Sequence, residues 1–157
     1  MQSQTHLRPF SLWILILLHL LLGIGALAGG GVLIAAPDGS ILQMPISVLH
    51  HSPFSSFLIP GIILFFFVGL FPVAVAFSLW KLPPWTWPNT INPFKKIHWS
   101  WAGSLAAGVI VILWITVEVQ FMPVATIHVF YWSVGVALLL LTLLPGVRRY
   151  AQLPQMD

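Results

Sequence analysis

Apolar residues in this chain do not alternate with polar ones; they run in four long blocks, 12–36, 57–81, 99–121 and 127–147. The first, LWILILLHLLLGIGALAGGGVLIAA, holds no Asp, Glu, Lys or Arg. At 1.5 Å per residue it reaches about 37 Å, enough to cross the roughly 30 Å of a bilayer's hydrocarbon. Lipid leaves each segment to satisfy its own backbone groups, and the runs lack the two-residue period of barrel strands, so each block is predicted to be a helix. The expected fold is all-α: a single-domain integral membrane four-helix bundle over residues 1–157.

The segments between the blocks sort by charge. Arg8 precedes the first, Lys81, Lys95 and Lys96 lie between the second and third, and Arg148 and Arg149 follow the fourth. The alternate connections, 37–56 and 122–126, carry no basic residue. The positive-inside rule then places both termini in the cytoplasm of a plasma (inner) membrane protein. Trp13, Trp80, Trp85, Trp87, Trp99 and Trp101 fall near the predicted cytoplasmic ends, as an interfacial aromatic belt requires. Arg8, the apolar stretch after it and Ala26-Leu27-Ala28 also have the layout of a cleavable signal. The apolar run continues to Ala36, however, and cleavage would leave three spans with the remaining basic residues on opposite sides, so a retained first span is expected.

Composition agrees with this picture. Hydrophobic residues make up 59% of the 157 and charged ones 6%, where a soluble domain carries about 25% charged residues. A water-soluble fold is excluded, because the polar groups needed to cover its surface are missing. The net charge of +3 is spread over span ends and not clustered as nucleic-acid binding needs, so nucleic acid is excluded as a partner. The expected partners are the lipid bilayer and a second copy or another membrane protein. The chain has no Cys, hence no disulfide or thiolate chemistry.

Other features shape the spans. Small residues four apart, Gly25 with Gly29, Gly103 with Ala107 and Ser104 with Gly108, suggest contact faces on spans one and three. Pro72 removes a donor inside span two and predicts a kink. The 37–56 connection opens on a Pro37-Asp38-Gly39 turn and is too apolar for a free loop, so it is expected to form a short outer cap between helices 1 and 2. Ser52-Pro53 reads as the N-cap and first residue of the approach to span two. The proline-rich 82–96 connector is expected to be stiff and non-helical, and the tail after Arg149 need not be ordered.

Candidate chemistry is sparse. Glu118 is the one acid inside a span, and His128 begins the next across a short turn, so the two could share a proton or hold a cation. Asp38, His50 and His51 fall on the same predicted outer side. These five residues are the candidates for binding a ligand or proton. Whether they hold a metal stays open, because no HxxxH or HExxH spacing fixes two nitrogens on one helical face. His19 lies within span one; a neutral buried His is favoured, with an axial role toward haem or another pigment as the alternative. His6 and His98 are expected to be solvated. No catalytic residue is assigned and no cofactor is predicted: GxSxG, P-loop, GxGxxG and paired intramembrane carboxylates are all missing.

The PDGS turn, the MPISVL segment, SPFSSFLIPGIIL leading into span two and WITVEVQF in span three are similar to those of a group of small uncharacterised prokaryotic four-span membrane proteins. The resemblance implies four spans and a bacterial plasma membrane. It implies no activity and no site residue.

Overall fold

A computed structural model describes residues 8–153, so His6 lies outside the described residues. Helix α1 covers Phe10–Ala35, α2 Leu58–Lys81, α3 Thr86–Ile91, α4 Trp99–Glu118, α5 Thr126–Leu143 and α6 Pro145–Tyr150. Helices α1, α2, α4 and α5 are each long and apolar enough to cross a membrane, and the described residues form no strand. Prolines set several ends. The fourth apolar block is cut at Leu144, which takes an extended conformation (ψ 135°) ahead of Pro145, as a residue before proline must. The 82–96 connector is not wholly non-helical: α3 occupies its middle. Pro88 sits in the first turn of α3, where its missing N–H costs no helical bond.

Pro72 acts on α2 differently from a simple kink. The helix widens into π geometry over Leu64–Leu70 before returning to α at Phe71, and the Phe71 N–H bonds to the Phe66 carbonyl, five residues back. A widened turn ahead of a proline takes up the clash its ring would make with the Val68 carbonyl in an α-helix.

Helix α1 lies along α2 and also touches α5, and α4 packs on both α5 and α2. Lipid offers no hydrophobic drive for these contacts, so close approach has to supply them. A Cβ on Gly30 would stand 2.7 Å from the Phe65 N and 2.8 Å from the Gly61 carbonyl, and Gly108 meets Gly135 in the same manner across α4 and α5. The α1 seam therefore runs through Gly23 and Gly30, whereas Gly25 and Gly29, the expected pair, border a cavity.

The bundle has two unlike ends. At the basic end Pro9 abuts Gly146, the Tyr150 hydroxyl reaches the Trp80 carbonyl (3.5 Å), and the His98 N–H donates to Ala151 O (2.7 Å). Leu153 N–H donates to Lys96 O (3.0 Å), so residues 151–153 of the tail are held. Trp99 and Trp101 are buried here and do not belong to a surface belt; the Trp101 indole donates to Thr142 O (2.8 Å). His98 is also buried, between Pro83 O (2.9 Å) and Ser100. Its expected solvation is corrected: the proline-rich connector folds back and supplies the carbonyl.

At the other end, residues 36–57 form the cap. Gly39 takes φ +77° in its turn, and Phe57 N–H donates to Pro37 O (2.8 Å). Leu33, Leu49 and Phe57 make a small core with Met44, Phe54 and Met122 around it. Ser52 caps a local turn, accepting from Phe54 N–H (3.2 Å), and the helix starts later, at Leu58.

Candidate functional site

Glu118 is the last residue of α4, and the turn after it folds back so that Phe121 and Met122 donate to its carbonyl. The chain then returns within a few residues to α5, whose first turn holds His128. This tight return brings the two side chains together, with Glu118 Oε2 4.0 Å from His128 Nε2. Both are largely shielded, at 23% and 11% side-chain exposure.

The histidine's chemistry is fixed by its second nitrogen. Ala125 N–H donates to His128 Nδ1 at 2.9 Å, the backbone half of a helix N-terminal cap. Nδ1 is thus an acceptor, the proton of the neutral ring sits on Nε2, and Nε2–H faces Glu118. One consequence follows. A metal cannot bind Nε2 unless this arrangement breaks, since a neutral imidazole has one lone pair and it is already used.

A separation of 4.0 Å is too long for a hydrogen bond. It leaves room for a bridging atom: one placed about 2.8 Å from each partner closes the triangle at roughly 90°. That atom must accept from Nε2–H and, where Glu118 is ionised, donate to the carboxylate. A hydroxyl does both; an ammonium does only the second.

The pair lines a cavity of about 170 Å³ between α1, α2, α4 and α5. Its walls are otherwise mainly apolar: Ala26, Leu64, Val68, Val111, Ile115 and Ile127. Leu64 and Val68 belong to the π-helical stretch of α2. Tyr131 adds a phenol, for which Gly25 makes room: a Cβ there would lie 2.7 Å from the Tyr131 oxygen. Glu118 and Trp114 also line a second cavity of about 150 Å³ beneath the cap, beside Leu49 and Phe54. Trp114 and Tyr131 are pocket residues that the sequence reading missed. Their signal was helical spacing, since Trp114 stands one turn before Glu118 and Tyr131 one turn after His128.

No family model, curated protein or solved structure matches the chain. The site's reading rests on its own geometry.

The remaining candidates stay apart from the pair. Asp38 is exposed in the cap and bonds Ser40 through its N–H (3.1 Å) and hydroxyl (2.7 Å), which holds its carboxyl below the usual carboxylate range. His50 and His51 are exposed at the far side of the 3-10 turn Ile46–Leu49. Among the described residues no three His, Asp or Glu side chains converge as a metal would require. His19 is fully buried in α1; its Nδ1–H donates to Leu15 O (2.9 Å) and its Nε2 has no partner. That tautomer suits an axial ligand, but His19 lines neither cavity of the Glu118 site.

Proposed function

We propose that this chain is a multi-pass plasma-membrane protein, both termini cytoplasmic, that binds a small apolar molecule bearing a hydroxyl head in the cavity beside Glu118 and His128. The observation that carries the reading is the pair itself: a carboxylate and an Nε2–H donor 4.0 Å apart at an otherwise apolar cavity. Size supports it. A cavity of about 170 Å³ compares with the roughly 150 Å³ known to accept benzene in another protein, and is well below the 300 Å³ or more that drug-sized ligands occupy. The gathering of basic residues at the opposite end supports the orientation, under which this cavity opens toward the outer leaflet. The prokaryotic four-span group that the sequence resembles fits the same proposal.

The test compares benzyl alcohol with toluene, binding to the purified protein in detergent. Benzyl alcohol is expected to bind about tenfold more tightly, the worth of one net hydrogen bond of about 1.5 kcal/mol, and Glu118→Leu, which removes the acceptor and leaves the His128 Nε2–H donor, is expected to shrink the difference. Equal binding of the two, or binding of neither, overturns the reading.

A second reading, packing against another copy or a partner membrane protein, draws on α5. Only 17% of its spanning window is buried, against 39–44% for the other three helices. Cross-linking between single cysteines placed at Phe130 in membranes tests it, and absence of any cross-linked dimer counts against self-association through this face.

A further inference from the structure

We propose that a groove at the basic end is a site for an anionic phospholipid, with an acyl chain between α3 and α4 and the phosphate at Lys95 and Lys96. The groove holds about 370 Å³, with Trp87, Ile91 and Phe94 at its rim and Phe71, Trp99 and Ala106 deeper. Its rim is apolar yet open: Trp87 is 70% and Ile91 77% exposed. From Trp99 to Ala106 it follows α4 for about 10 Å, a depth that suits the upper part of an acyl chain.

Two cations adjoin the groove in the chain without lining it. Lys95 follows directly on Phe94, and its ammonium is pinned by Asn89 O (3.2 Å) and Thr90 O (2.9 Å) at the end of α3. An ammonium has three donors, so one remains for a phosphate oxygen, and the side chain is already ordered. Lys96 beside it is exposed. The two acids among the described residues, Asp38 and Glu118, belong to the cap end, so no described carboxylate neutralises these lysines. Trp99, 9% exposed, lines the groove beside Trp87 and gives it an aromatic wall. The combination of an apolar slot and two uncompensated cations next to it in the chain fits a phospholipid with a net negative headgroup better than a zwitterionic one.

Native mass spectrometry of the full chain in detergent tests this, titrating dioleoyl phosphatidylglycerol, dioleoyl phosphatidylcholine or inorganic phosphate. The phosphatidylglycerol is expected to bind more tightly than the phosphatidylcholine. Lys96→Gln, which leaves the Lys95 brace on α3 intact, should weaken phosphatidylglycerol about fivefold, the equivalent of about 1 kcal/mol per lysine near an anionic surface. It should leave phosphatidylcholine unchanged. Ala106→Leu, which fills the groove, should weaken both lipids. Equal affinity for the two lipids, displacement of the lipid by millimolar phosphate, or an unchanged affinity in Lys96→Gln each overturns the proposal. If Ala106→Leu does not fold, the Lys96→Gln result decides alone.

Discussion

The two ends of the bundle are held by different physics. At the cap end, Leu33, Leu49 and Phe57 bury apolar surface under a loop, and hydrogen bonds tie the cap's backbone. At the basic end, side chains do the tying. Asn92 bonds Phe94 and Ile97, His98 joins Pro83 to Ser100, and Ser104 meets Thr142 at 2.6 Å. A polar group consumed by structure has little left for a ligand. Most polar side chains at the basic end are spent in this way. The cap end leaves Glu118 and the His128 Nε2–H unspent beside a cavity. The polar groups free for a buried ligand therefore lie at the cap end, whereas the basic end offers its exposed lysines.

The largest expected loss is at the cap. Phe57 is 1% exposed in a region outside the long apolar helices, where burial from water is worth its full value, so Phe57→Ala should cost about 3–5 kcal/mol. Chemical denaturation of the purified protein reads this. A loss below 1 kcal/mol would show that the cap is not held by its small core. Next comes the seam below it. Gly30→Leu must force α1 away from the α2 backbone, at about 3 kcal/mol, visible as a lowered melting temperature. Retention of wild-type melting would contradict the close approach at Gly30 and Gly61.

Smaller effects belong to the basic end. Thr142→Val keeps the shape but leaves Ser104 buried without its partner, which should cost about 1–3 kcal/mol by the same denaturation assay. The smallest is a pH effect. Burial holds the His98 pKa below its ordinary value, and the bond to Pro83 only partly restores it. The unfolded chain therefore takes up a proton near pH 6.5 before the folded one does. Stability from neutral His98 is fully present above that pH and falls as the pH drops below it. His98→Gln should flatten the melting temperature between pH 7 and 5. An unchanged pH slope in this variant would show that His98 is as solvated when folded as when unfolded.

Much of the fold was legible because lipid demands something simple: long runs without charge. All four spanning helices were readable to within a few residues, as was the cap, whose apolar content was wrong for a free loop. Which face of each helix points inward was not legible, because helices apolar all round carry no stripe. Hence four-residue spacing points to Gly25 and Gly29 as a seam, whereas the closest approaches of α1 to α2 lie at Gly23 and Gly30. The burial of His98, Trp99 and Trp101 depends on a connector and tail folding back from outside their own helix, which no local pattern records. The site was half legible. The short turn between Glu118 and His128 put them near one another, but the tautomer follows from a backbone N–H at Ala125 that only the fold reveals.

The central claim is that the Glu118–His128 cavity opens on the side of the membrane opposite the basic residues, facing outward. The chain has no cysteine, so single cysteines report without background. Ser40→Cys in the cap and Thr90→Cys in α3 are to be labelled on intact cells with a membrane-impermeant maleimide. The account predicts labelling at position 40 in intact cells and at position 90 only after permeabilisation. The reverse pattern, or equal labelling of both in intact cells, would contradict it.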